Sequence, residues 1–105
     1  MGVKIMTEQD TENKIISLGL NASRLTPTLI DDTIVKVDYH VFSGSCLTVC
    51  CLTLRNGFTV TGESACASPS NFNAEIGESV SFKNARDKVW ALEGYLLKER
   101  LHLQG

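Results

Sequence analysis

Asn56-Gly57 lies between two runs rich in β-branched and apolar residues, 46–54 and 58–66, and no other feature narrows the fold of this chain as much. Asn-Gly is favoured in the two-residue type I′ hairpin turn because both turn positions need positive φ. A two-residue loop pairs Arg55 with Phe58, Thr53 with Val60, Cys51 with Gly62 and Leu47 with Cys66. One face of that hairpin carries Leu47, Val49, Cys51, Phe58, Val60 and Cys66. The other carries Cys46, Thr48, Cys50, Leu52 and Leu54, facing Thr59, Thr61, Glu63 and Ala65. Neither face is plainly polar. A hairpin of this kind needs helices over one side and a further surface over the other, which points to a homo-oligomer.

The flanking segments supply the helices. Thr7 to Leu20 reads as a short helix, capped by Thr7 or Asp10, with Glu8, Asp10 and Glu12 at the positive end of its dipole. Gly19 followed by Leu20 fits a glycine C-cap with its apolar partner. Thr26-Pro27 opens a second helix, with the proline where its missing N–H costs nothing. Leu29, Ile30, Ile34 and Val37 then carry the helical period to about Asp38, while the β-branched run Thr33-Ile34-Val35 makes a strand from Ile34 to Phe42 the competitor. After Ser68-Pro69, Ser70 or Asn71 caps a last helix with apolar positions at Phe72, Ile76, Val80, Ala85, Val89, Leu92 and Leu96. Gly77 and Gly94 weaken it, each by roughly 1 kcal/mol relative to Ala, so it is one bent helix or two.

The expected class is therefore α+β: two short N-terminal helices, a central antiparallel β-hairpin, and a long or broken C-terminal helix packed on it. A chain of 105 residues, 43% hydrophobic and 21% charged, makes one such domain. Its expected limits are a flexible leader at 1–6, the domain at 7–102 and a frayed tail at 103–105. No apolar run approaches the roughly 18 residues that span a bilayer, and the N-terminus lacks secretory and myristoylation patterns, so no membrane partner and a cytoplasmic location are expected.

Chemistry is sparsely signalled. Cysteines 46, 50, 51 and 66 lack zinc-finger spacing. Cys50 and Cys51 point to opposite faces of a strand, and Cys46 and Cys50 sit about 13 Å apart on one face, too far for a bridge. They read as reduced, small hydrophobes, and neither metal nor cofactor is expected. An enzyme would need Cys66 or Ser64 with His40, or Glu63 or Glu75 as acid or base, but Ser64-Ala65-Cys66 lacks the framing of a nucleophile elbow. His40 fits a structural hydrogen-bonder better than a base, so the reading is non-enzymatic.

Three surface groups remain. The corner around residues 68–73 offers helix N-terminal N–H groups with Ser70, Asn71 and Asn73, and Tyr39, His40 or Trp90 as stacking groups for a small anionic ligand, although plain capping explains the same residues. Lys83, Arg86 and Lys88 give the last helix a basic side for nucleic acid, a reading that ranks lower because the formal net charge is −2 and Glu93 and Glu99 interrupt the stripe. Trp90, Tyr95, Leu96 and Leu97 wrap more of the helix than one core-facing stripe requires and read as a subunit interface.

Several short motifs occur in order. They are Tyr39-His40-Val41-Phe42, the run 48–58, Gly62-Glu63-Ser64-Ala65-Cys66, then Asn71-Phe72-Asn73 with Glu75-Ile76-Gly77, and finally Ala85, Lys88, Trp90 and Leu92-Glu93-Gly94-Tyr95-Leu96. Over most of residues 26–100 the chain resembles the small tailed-phage protein family named for gene products 49 and 66 of two enterobacterial phages. That resemblance implies a phage or prophage accessory protein acting in the bacterial cytoplasm, and it supplies no reaction. The family pattern has proline after the tryptophan; Ala91 stands there, which favours an unbroken last helix. Together the readings give a protein that binds a host factor, either a protein or a small nucleotide, to favour infection.

Overall fold

A computed structural model describes residues 5–105; of the leader expected at 1–6, the first four residues lie outside the described ones. Helix α1 (Glu8–Ser17) starts at a reciprocal cap, in which the Asp10 N–H donates to Thr7 Oγ1 at 3.0 Å and the Thr7 N–H donates to Asp10 Oδ2 at 3.1 Å. Gly19, at φ 66°, ends it as its position predicts. Helix α2 (Pro27–Thr33) is capped by Thr26, which accepts from the Leu29 N–H at 3.1 Å.

Helix α2 stops well short of Asp38, and the competing strand prevails. The chain turns into β1 (Ile34–Val41), which pairs antiparallel with β2 (Thr48–Leu54), and β2 pairs with β3 (Thr59–Ser64) in a sheet ordered β1-β2-β3. The physical reason is twofold. The β-branched residues 33–35 resist helix, and β2 would otherwise leave a row of backbone groups unpaired. The Arg55 N–H reaches the Thr33 carbonyl at 2.9 Å and locks the exit of α2 onto the sheet.

The hairpin is present with a register one residue from that expected. Among the described residues no non-glycine has positive φ, so Asn56 does not enter the left-handed region and only Gly57, at 88°, does. Asn56 instead accepts the Phe58 N–H on its side chain at 3.0 Å. The Gly57 N–H donates to the Leu54 carbonyl and the Leu54 N–H to the Phe58 carbonyl, both at 2.8 Å, which closes a loop of residues 55–57. Thr53 therefore faces Thr59, Leu52 faces Val60 and Cys50 faces Gly62. A slip of one residue turns every β3 side chain to the other face. Val60 joins Thr48, Cys50, Leu52 and Leu54 beneath a helix, while Thr59, Thr61 and Glu63 line the open face with Lys36, Asp38 and His40. The open face is thus polar at both flanks and half-buried only along Val49, Cys51 and Thr53.

That covering helix is α3 (Ala74–Gln104), 31 residues without a break and about 46 Å long at 1.5 Å per residue. Its cap is Asn73, whose Oδ1 accepts from the Ile76 N–H at 2.9 Å, rather than Ser70 or Asn71, which belong to a single 3₁₀ turn at Pro69–Asn71. It continues through Leu103 and Gln104, where fraying was expected. Gly77, Ser81, Ala85 and Val89 are its buried residues, spaced by four along one stripe. The core consists of Ile30, Cys50, Leu52, Leu54, Val60, Ala85 and Val89, bordered by Leu25, Ile34, Phe82 and Trp90.

Two glycines set the approach of helix to sheet. A Cβ on Gly62 would collide with the backbone N of Ala85 and the carbonyl O of Ser81, and would lie 2.8 Å from Ala85 Cα. A Cβ on Gly77 would lie 2.6 Å from Thr48 Oγ1. Gly77, a weakness by helix propensity alone, is thus a packing residue. Gly62→Ala should destabilise the fold by about 3 kcal/mol, roughly 15 °C in Tm, because neither backbone can yield; an unchanged melting curve would refute this contact. The Thr48 hydroxyl is buried with no hydrogen-bond partner. Thr48→Val should therefore raise stability by about 1 kcal/mol in chemical denaturation, and a loss of stability would mean that the hydroxyl has a partner.

Candidate ligand-binding site

The corner at the start of α3 is real but partial. Asn71 and Asn73 line a cavity of about 140 Å³ with Cys46, Ser64, Cys66, Phe72, Ile76 and Gly77. Asn73 spends its carbonyl oxygen on the helix cap, and Ser70 forms a 2.9 Å hydrogen bond with Ser68. The expected stacking groups are elsewhere. Tyr39 stands opposite Cys50 on the helix side of β1, and His40 is on the open face, edge-on to Phe42 at 4.6 Å between ring centroids. Trp90 packs against the core, with the Arg86 guanidinium 6.0 Å from its ring.

The catalytic candidates are not brought together. Ser64 stands opposite Thr48, whereas His40 stands opposite Val49 on the other face, so His40 does not face the hydroxyl. Glu63 is on the open face and Glu75 in the first turn of α3. All four cysteines are free thiols. Cys46 and Cys66 line the same cavity, and a hydrogen bond with the Cys66 side chain, followed by burial, pushes the Cys46 thiol up. Burial pushes Cys50 up as well. A nucleophilic cysteine needs the opposite shift.

The basic side of α3 is also dispersed. Arg86 donates to Glu8 at 2.6 Å and to Asp31 at 2.9 Å, which together hold its guanidinium firmly protonated and leave its side chain only 14% exposed. Lys83 pairs with Asp87 at 3.5 Å, and Lys88 lies on the far side of the helix from Arg86. Of the expected interface residues, Tyr95 is 74% and Leu96 42% exposed, while Trp90 and Leu97 are half-buried.

A second cleft, absent from the sequence reading, opens between α2, the hairpin tip and the distal half of α3. Leu29, Leu54 and Leu96 give it an apolar wall, and Arg55, Asn56, Glu93 and Arg100 its polar rim, around about 300 Å³. Arg55 extends from the turn that Gly57 creates, and Arg100 lies about three turns beyond the last core contact of α3. Among the described residues neither arginine makes an ion pair, Glu93 included. Two unneutralised guanidiniums beside an apolar wall suit a ligand that joins a phosphate or carboxylate to a flat apolar group. No local signal could have paired Arg55 with Arg100, since only the length of α3 and the hairpin register bring them to one opening.

The fold defines an α+β domain in which one long helix crosses one face of a three-stranded antiparallel sheet. The phage protein (N4 Gp49/phage Sf6 gene 66) family matches residues 25–101, and the chain belongs to that family. No curated protein and no solved structure matches it. Among the described residues, no helix is long and apolar enough to cross a membrane.

At about pH 8, close to the ordinary thiol value, Cys46 and Cys50 should be alkylated at least about tenfold more slowly in the folded chain than in guanidinium. Equal rates, followed by peptide mapping, would remove the raised thiols.

Proposed function

We propose that this phage protein is a non-enzymatic accessory factor that acts in the host cytoplasm by binding a host factor, and that the factor is a small phosphorylated molecule of the nucleotide class. The observation that carries this reading is the cleft at the hairpin tip, where Arg55 and Arg100 are unpaired beside Leu29, Leu54 and Leu96. Guanidiniums bind phosphate oxygens in bidentate fashion, and the leucines offer the base an apolar wall. The Asn71 corner is smaller and partly consumed by capping, so it ranks second as an anion site.

A host protein is the second reading, supported by the distal part of α3. Leu92, Tyr95, Leu96 and Leu103 are exposed at spacings of three, four and seven, the pattern by which a helix seats in an apolar groove.

Native mass spectrometry of the chain purified from a bacterial cytosol should reveal a reproducible small added mass. Arg55→Gln or Arg100→Gln should lower its occupancy about tenfold or more, at unchanged folding stability, because each removes a charge-assisted contact of roughly 1.5–3 kcal/mol. A bare mass, together with no calorimetric binding of nucleoside mono- or diphosphates, would overturn the nucleotide reading.

A further inference from the structure

Strand β1 forms one edge of the sheet, and its phase is fixed by the hydrogen bond from the Phe42 N–H to the Leu47 carbonyl at 3.3 Å. Antiparallel ladders alternate, so Phe42, His40 and Asp38 direct their backbone groups to β2, while Val41, Tyr39 and Val37 direct theirs outward. Among the described residues nothing pairs with that outer row. The side chains of Val37, Tyr39 and Val41 lie on the helix side of the sheet, since they stand opposite Leu52, Cys50 and Thr48. Helix α3 covers β3 and β2 and leaves this side of β1 bare, with Val37 39%, Tyr39 40% and Val41 41% exposed.

Edge strands that must not associate are blunted by charged side chains, proline or a disruptive bulge. The bulge here falls between Ile34 and Lys36, at the end next to α2, and residues 36–42 beyond it are regular. The two charged residues of the regular part are of opposite sign, with Lys36 3.5 Å from Asp38, and His40 follows on the same face.

We propose that β1 pairs with itself: two copies of the chain join antiparallel at this edge, about a two-fold axis normal to the sheet at Tyr39, to make one continuous sheet of six strands from two of three. In this register every outward N–H and C=O of Val37, Tyr39 and Val41 is used. On the helix side Tyr39 meets the partner's Tyr39 and Val37 meets the partner's Val41, which covers the bare apolar row. On the open face Asp38 meets the partner's His40, twice by symmetry, and Lys36 lays its stem along the partner's Phe42. A register centred on Asp38 would oppose two carboxylates, and one centred on Val37 would run into the bulge. Both copies keep their helices on the same side, so the two α3 helices flank a trough floored by the paired strands.

Sedimentation velocity tests this. The chain should run at twice its 11.5 kDa mass, or at a multiple of that dimer. Tyr39→Pro removes an N–H that no intrachain bond uses and should halve the mass. His40→Asp faces the partner's Asp38 and should weaken the dimer about tenfold or more, and adding Asp38→Lys should restore it through the partner's changed residue 40. Circular dichroism and hydrogen exchange of β2 and β3 check that each variant is folded. A monomeric wild-type chain overturns the proposal, as does an oligomer that a folded Tyr39→Pro or His40→Asp chain retains unchanged, or a failure of the double variant to recover.

Discussion

The contact on which the rest of the molecule depends is the backbone-to-backbone approach of β3 and α3 at Gly62. With no Cβ there, the Ser81 carbonyl and the Ala85 main chain of the helix settle onto the strand, closer than any side chain would allow. That closeness fixes the height of α3 over the sheet, seals Cys50, Leu52 and Val89 from water, and sets the line along which a 31-residue helix must run. Gly77 against Thr48 holds the helix at a second point nearer its start. Two such points on a rigid helix leave little freedom of tilt.

Because α3 is centred over β3 and β2, the sheet is covered unevenly. One consequence is the bare helix-side row of β1. Another is the overhang of α3 past Val89, its last buried residue. The overhang carries Leu96 and Arg100 to the hairpin tip, where α2 closes the opposite wall with Leu29. Cleft and open edge are thus two results of one packing decision.

Electrostatics holds the N-terminal part to this frame. Helix α1 buries no residue of its own. Glu8 on Arg86 and Glu12 on Arg24 tie it down, and the hydrogen bonds from Arg24 hold the Glu12 carboxyl below its ordinary range. A surface pair alone is worth little, but Arg86 is 14% exposed, bridges α1 to α2 through Glu8 and Asp31, and stacks toward Trp90. Arg86, expected with Lys83 and Lys88 on a basic side of the helix, is therefore a clamp.

The amino-acid sequence by itself determined the α+β class, both N-terminal helix starts, the hairpin, the continuous alternation of β2 and the family. Each rests on a local rule: a threonine cap, a proline at the first helical position, an Asn-Gly turn, a period of two. It did not determine where α2 yields to β1, since residues 33–35 serve either state and only the open edge of β2 decides between them. Nor did it settle the hairpin register, because Asn56-Gly57 closes a loop of two or of three residues and the choice lies in which β3 face the helix can approach. With Gly62 turned inward the approach is possible; with the neighbouring Thr61 or Glu63 there it is not. The meeting of Arg55 with Arg100, like the exposure of one row of β1, follows from that docking, and tertiary structure alone decides it because neither residue carries any mark of the other.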